Sequence, residues 1–64
     1  MHDVTSSKKM ENGIVLFWDD SGGKKFESFT YSELIDMKIN ALDLLQQPKS
    51  YKVDNDIHLV IMKK

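Results

Sequence analysis

The chain has 64 residues, no cysteine and a formal net charge of −1 at pH 7. This length suits one domain, and so short a domain buries only about 60% of the surface that its unfolded chain exposes. The missing cysteine excludes disulfides and thiolate metal sites, and the two histidines, His2 and His58, lie too far apart in sequence to indicate a structural metal. An oligomer or an unusually well packed core must therefore supply the stability.

No signal peptide or membrane span is predicted. The first nine residues contain no apolar stretch, and the longest apolar run, Ile14 to Trp18, is far too short to cross a bilayer. With neither cysteine nor an export signal, we expect a cytoplasmic protein.

The charges are unevenly distributed, with four lysines at the two ends of the chain. Between Met10 and Met62, five lysines are set against nine acidic residues, a net charge of −4. The chain has no arginine, the residue best suited to bidentate contacts with phosphate and guanine. This pattern argues against direct nucleic-acid binding and favours a basic partner, although ordinary solubility explains the same acidic surplus.

The composition of the first 30 residues predicts a tail and two strands. Residues 1–9 are polar and charged and are predicted to form a disordered tail, which leaves residues 10–64 as a single α+β domain. The apolar run that begins at Ile14 predicts a strand, and the turn-forming residues 19–24 connect it to a second strand over about residues 25–30. We expect these two strands to pair as an antiparallel hairpin.

A helix is predicted next. Thr30 and Glu33 have the spacing of a capping box, so Thr30 is the predicted N-cap of the helix, and Pro48 limits the helix to about Gln46. An apolar strand from Ile57 to Met62 follows. The predicted topology is ββαβ, or ββαββ if Tyr51–Val53 pairs with the last strand, with one amphipathic helix on one face of a small antiparallel sheet.

The predicted helix carries more apolar surface than one sheet face requires. Its apolar arc spans roughly 220°, about twice a normal core-facing stripe, with Met37, Ile39 and Leu44 at its margins. The first and last strands are apolar on both faces. Such surplus usually marks an interface with a second copy or a foreign partner. The alternative is that the chain folds compactly and buries most of this surplus apolar surface itself.

No residue pattern predicts catalysis. The segment from Asp19 to Lys24 and the segment from Asp54 to Asp56 lack the spacing of phosphate or calcium loops and are interpreted as turns. His58 has no second ligand near it in sequence and is interpreted as a partly buried, hydrogen-bonded or interface histidine. We expect a protein that is not an enzyme and that uses no cofactor or metal.

The hairpin resembles the short phage-encoded uracil-DNA glycosylase inhibitors. The similarity in residue types rests on the run from Val15 to Gly22 and on Phe26-Glu27-Ser28-Phe29, while the order of elements agrees over residues 14–62. In that family a dimer with an acidic, apolar-centred surface imitates DNA and occupies the basic groove of the glycosylase. An apolar pocket of the inhibitor receives the side chain that the enzyme inserts into the duplex.

The resemblance implies roles for particular residues. Glu27 would imitate a phosphate, and helix residues such as Met37 and Leu44 would form the pocket, although the family helix carries aromatics where this chain has Met37 and Ile39. The partner-binding residues expected on this basis, together with the acidic residues beside the apolar arc, are Asp19, Asp20, Glu27, Asp36, Met37, Ile39, Asp43 and Leu44.

Three functions of different classes remain open. The first is a phage protein that inhibits a host DNA-acting enzyme such as uracil-DNA glycosylase by DNA mimicry, as a homodimer in the host cytoplasm. The second is a homodimeric interaction or regulatory module without mimicry. The third is a structural or assembly component of a larger particle.

Overall fold

The computed structural model describes residues 1–63 and shows an α+β fold that is mostly antiparallel sheet. Two three-stranded sheets, in the orders β1-β5-β6 and β2-β3-β4, are combined with two short helices. The predicted fold class is confirmed. The elements are β1 (His2–Asp3), β2 (Ser6–Lys9), β3 (Gly13–Asp20), β4 (Gly23–Thr30), α1 (Tyr31–Asp36), α2 (Ala41–Gln46), a 3-10 helix (Pro48–Ser50), β5 (Tyr51–Asp54) and β6 (Leu59–Met62).

Neither α-helix within residues 1–63 has the length and hydrophobicity that crossing a bilayer requires.

The N-terminal segment is ordered, which corrects the prediction of a disordered tail over residues 1–9. β1 pairs with β5, and β2 pairs with β3. Where the segment passes from one sheet to the other, the backbone N–H of Val4 donates to Tyr51 at 3.1 Å and that of Thr5 donates to Phe17 at 2.8 Å. Val4 is the one fully buried side chain in this segment. Backbone hydrogen bonds and a single apolar anchor thus hold a stretch whose polar composition suggested disorder.

β3 and β4 form the predicted hairpin, joined by the two-residue turn Ser21-Gly22. Asp20 lies opposite Gly23 beside the turn. At the other end of the hairpin, Gly13 has no room for a side chain, because a Cβ there would lie 1.9 Å from the carbonyl oxygen of Phe29. The antiparallel hairpin inferred from the turn residues is therefore confirmed.

The predicted long helix is divided into two helices, which corrects its expected continuation to Gln46. Its start is confirmed: the Thr30 hydroxyl accepts a hydrogen bond from the backbone of Glu33 at 3.1 Å, and the Glu33 carboxylate accepts one from the backbone of Thr30 at 2.9 Å. The first helix nevertheless ends at Asp36.

A Schellman motif ends α1. Lys38 adopts the left-handed conformation with φ of 61°, and its backbone N–H donates to the carbonyl of Ile35 at 2.9 Å. The N–H of Ile39 donates to Leu34 at the same distance. Asn40 then caps α2, because its side chain accepts a backbone hydrogen bond from the first turn of that helix. These local signals outweigh the apolar pattern that continues through the break.

The C-terminal segment forms an antiparallel pair. Tyr51–Val53, left open by the sequence, belongs to β5 and pairs with β6. β6 begins at Leu59 rather than at the predicted Ile57, because residues 55–58 form the connecting turn. Ile57 is 65% exposed in that turn.

The core joins both sheets to both helices, so the chain buries more apolar surface than a single helix on a single sheet would. Its fully buried members are Val4, Ile14, Leu16, Trp18, Phe29, Leu34, Leu44, Tyr51, Val53 and Val60.

Candidate binding surfaces

The sheet of β2, β3 and β4 carries aromatic side chains on the face opposite the core. Leu16 points into the core, so its neighbours Val15 and Phe17 point the other way. Phe17 lies opposite Phe26, with ring centroids 6.2 Å apart, and Phe26 is 69% exposed. We call this surface the outer face; its members are Ser6, Lys8, Val15, Phe17, Asp19, Lys24, Phe26 and Ser28.

The tip of the hairpin is acidic and exposed. The Asp19 carboxylate lies 3.9 Å from the Lys24 ammonium, and both side chains are more than two-thirds exposed, so solvent screens this pair. The Asp20 carboxylate accepts a hydrogen bond from the backbone of Ser21 at 2.7 Å, which favours the turn. Both carboxylates remain accessible, that of Asp19 on the outer face beside the aromatic pair and that of Asp20 on the opposite side of the strand.

The turn between β5 and β6 places His58 against the hairpin and α1. Its imidazole stacks on Phe29, and Nδ1 contacts the carboxylate of Glu27. Nε2 lies 2.9 Å from Oε2 of Glu33. We call Glu27, Glu33 and His58 the histidine cluster. Glu27, expected from the resemblance to imitate a phosphate, is thus engaged with His58.

The histidine cluster changes the protonation of two of its members. Partial burial works to lower the pKa of His58, but the hydrogen bonds and charges of Glu33 and Glu27 outweigh it and raise that pKa. The pKa of Glu33 is lowered, chiefly by the backbone hydrogen bond from Thr30 and then by His58. Within residues 1–63, the polar contacts of the His58 side chain are these two carboxylates, and no hydroxyl is placed for His58 to activate. The cluster can therefore hold the β5–β6 turn against β4 and α1.

The helix residues expected to form an exposed pocket lie in or against the core. Leu44 is completely buried, and Met37 and Ile39 are half-buried against core side chains. The Met37 sulfur accepts a hydrogen bond from the backbone of Val60 at 3.4 Å. The helical wheel assumed one continuous helix and therefore predicted that these residues are exposed. Met37 and Ile39 instead lie in the connection between the two helices, where the break at Lys38 lets them pack against the core.

The two acidic residues expected beside that pocket lie in different environments. Asp36 is exposed at the end of α1, beside the 72% exposed Ile35. Asp43, in the first turn of α2, accepts a hydrogen bond from the phenol of Tyr51 at 2.5 Å. Burial, and then the hydrogen bond to Asp43, raises the pKa of Tyr51 to about 12. Asp43 therefore joins α2 to β5, while Asp36 is free to meet a partner.

A shallow cleft that the sequence did not suggest lies beside β1 and β6. Its residues include Met1, Ile61 and Met62. On its rim the Asp3 carboxylate lies 3.4 Å from the Lys63 ammonium and 3.9 Å from that of Lys52. Recognising it would have required the pairing of β1 with β5, a long-range contact that the composition of residues 1–9 does not signal.

No group of three His, Cys, Asp or Glu side chains within residues 1–63 is arranged to hold a metal ion.

Comparison with models of known protein families, with curated proteins and with solved structures gives no match. The resemblance of the hairpin to the glycosylase inhibitors therefore stays a prediction.

Proposed function

We propose that this chain is a non-enzymatic protein-binding module that meets its partner through the outer face. The observation that carries this proposal is the pair of Phe17 and Phe26, with Phe26 69% exposed. Aromatic side chains bury a large area at low entropic cost and are enriched among the residues that dominate binding energy at interfaces. Covering this pair would remove apolar surface from water.

We further propose that the partner is an enzyme with a basic DNA-binding groove, which the module inhibits. Asp19 shares the outer face with Phe17 and Phe26, so a carboxylate lies beside an apolar centre. A chain that has no arginine, and whose residues between Met10 and Met62 carry a net charge of −4, suits a groove that otherwise binds phosphate. The apolar centre would supply most of the affinity, and the carboxylates of Asp19 and of Asp20 at the hairpin tip would mainly speed association. The resemblance makes uracil-DNA glycosylase the first candidate.

The test is uracil excision from an oligonucleotide with and without an excess of the protein at low salt. Excision should fall, and added salt should weaken inhibition by screening the carboxylates. Phe26→Ser should relieve inhibition. Leu42→Ser, which removes a comparably exposed side chain from α2 (63% exposed), should leave it unchanged. Undiminished excision at low salt would rule out the glycosylase as the target.

A second candidate, an interaction or regulatory module without DNA mimicry, is favoured by the lysines of the same surface. Lys8 and Lys24 both belong to the outer face, and Lys24 lies near Asp19. A surface of mixed charge suits a protein partner that has no phosphate-binding groove. Binding to such a partner should be lost in Phe26→Ser but persist at salt concentrations that abolish phosphate mimicry.

A further inference from the structure

Strand β4 has an open edge, and we propose that the same edge of a second copy of this chain pairs with it antiparallel. In the sheet formed by the described residues, β4 has β3 on one side and no strand on the other. It is eight residues long and contains no proline. At the opposite edge of this sheet, β2 is tied to α2, because the Ser7 hydroxyl donates to the carbonyl of Leu44 at 3.0 Å. Long open edges are where sheets extend.

The two-residue turn fixes which backbone groups of β4 are free. The residues flanking such a turn form a hydrogen-bonded pair, and these pairs alternate along an antiparallel ladder. The N–H and C=O groups of Lys24, Phe26 and Ser28 therefore point away from β3. Within residues 1–63, these groups have no other hydrogen-bond partner. The free edge ends at Thr30, whose N–H donates to Glu33.

Charge selects one register for the pairing. With Phe26 opposite Phe26 of the second copy, Lys24 pairs with Ser28, and Lys25 faces Glu27 on both sides of the two-fold axis. Moving the two-fold axis by one residue would place Lys25 opposite Lys25 of the second copy, or Glu27 opposite its Glu27. Either arrangement opposes like charges and is unfavourable. Centring it on Ser28 would need the N–H of Thr30, which Glu33 already binds. The Phe26-centred register alone combines free backbone groups with two opposite-charge pairs.

The histidine cluster is compatible with this register. His58 contacts Oε2 of Glu27, so Oε1 of the same carboxylate can accept from Lys25 of the second copy. The dimer would form one six-stranded sheet whose outer face carries Phe17 and Phe26 of both copies. The inference goes beyond the proposed function and does not rest on it, because the outer face of a single copy can also bind a partner.

Cross-linking tests the register directly. The chain has no cysteine, so each introduced thiol reports on one pair of positions. Cα atoms of a hydrogen-bonded antiparallel pair lie about 5.5 Å apart, within the range of a disulfide. Phe26→Cys should therefore form a disulfide-linked dimer under mild oxidation. Ser28→Cys should not, because its Cα would lie about 13 Å or more from its counterpart, but it should cross-link to Lys24→Cys in an equimolar mixture.

Charge reversal tests the same register without changing Phe26. Sedimentation at micromolar concentrations should give twice the monomer mass for the unmodified chain. Lys25→Glu should raise the dimer dissociation constant about tenfold by opposing like charges twice. Lys24→Glu, which faces Ser28, is the matched control and should leave it nearly unchanged. Mixing Lys25→Glu with Glu27→Lys should restore dimers, with circular dichroism verifying that each variant folds.

A monomer throughout the micromolar range would overturn the proposal. Equal cross-linking by Phe26→Cys and Ser28→Cys would also overturn it, because random collision would then explain both. A dimer that is indifferent to Lys25→Glu would show that the copies meet through another surface.

Discussion

The imidazole of His58 lies nearly flat on the ring of Phe29, with centroids 4.1 Å apart and planes 19° from parallel. Phe29 is fully buried in β4, and His58 reaches it from the β5–β6 turn with a left-handed φ of 54°. The same imidazole contacts Glu27 of β4 and Glu33 of α1. One titratable side chain of the β5–β6 turn therefore connects that turn to β4 and α1, two consecutive elements that lie much earlier in the sequence.

We expect the stability contributed by the histidine cluster to be greatest at mildly acidic pH. The folded-state pKa of His58 is raised above 6.5, so its stabilisation is fully present below that pH and is lost as pH rises through the raised value. The pKa of Glu33 is lowered below 4.5, so its contribution is present above that pH and is lost on acidification. Urea midpoints should therefore be highest at about pH 5–6 and fall on either side.

His58→Asn is the matched variant for this profile. Asparagine tolerates a left-handed backbone but does not titrate, so the decline in midpoint above about pH 6.5 should become shallower. An alkaline decline of the same size in both proteins would show that His58 does not form the cluster in solution.

Val4→Ala should lower the free energy of unfolding by about 1.5–3 kcal/mol, measured by urea titration. Val4 is 1% exposed and anchors the segment that pairs with both sheets, so the substitution leaves a cavity there. Ser6→Ala, on the exposed part of β2, is the control and should change stability by less than about 0.5 kcal/mol. Equal stability of the two variants would mean that residues 1–9 do not dock.

Local signals explain what could be predicted from the sequence. The hairpin follows from turn residues between two strands, and the start of α1 follows from the spacing of Thr30 and Glu33. Residues 1–9 gave no such signal, because their strands depend on backbone pairing with β3 and β5, and their serines and lysines show no hydrophobic alternation.

Long-range packing explains what could not be predicted. The histidine cluster brings together residues 27, 33 and 58, whose proximity depends on how the β5–β6 turn meets the hairpin. The helix break depends on Lys38 adopting a conformation that is uncommon for residues with a Cβ. The apolar pattern of residues 31–46 fits one helix or two, so this pattern does not by itself show the break.

Thr30→Ala should destabilise the protein by about 0.5–2 kcal/mol, because it removes the hydroxyl that accepts the backbone N–H of Glu33. The measurement is urea unfolding followed by circular dichroism. Thr30→Ser keeps a hydroxyl at the cap and should retain most of the stability. If alanine and serine are equivalent at this position, the capping bond does not contribute.

Lys38→Gly should stabilise the protein by up to about 1 kcal/mol. Glycine adopts the left-handed conformation without the steric cost that a side chain incurs, and that gain exceeds the extra freedom of glycine in the unfolded chain. Thermal unfolding should show a higher midpoint for Lys38→Gly and a lower one for Lys38→Val, whose branched side chain suits this conformation least. A lower midpoint for glycine would argue that α1 and α2 are continuous.

The hydrogen bond between Tyr51 and Asp43 should couple α2 to β5. Tyr51→Phe should cost about 1–3 kcal/mol, because it removes a donor to a carboxylate. Asp43→Asn should cost less, since an amide oxygen can still accept from the phenol. A double-mutant cycle by urea unfolding isolates the pair, and a coupling of about 1 kcal/mol is expected.

The same pair makes a prediction at alkaline pH. Because the pKa of Tyr51 is raised from 10.0 to about 12, the neutral phenol favours the folded state, and this stabilisation is fully present below pH 10 and is lost as pH rises toward 12. The absorbance of phenolate is measured against pH for the unmodified chain and for Tyr51→Phe, and the difference between the two curves gives the titration of Tyr51. A difference curve centred near pH 10 would show that the phenol is exposed and that β5 does not pack against α2 through this contact.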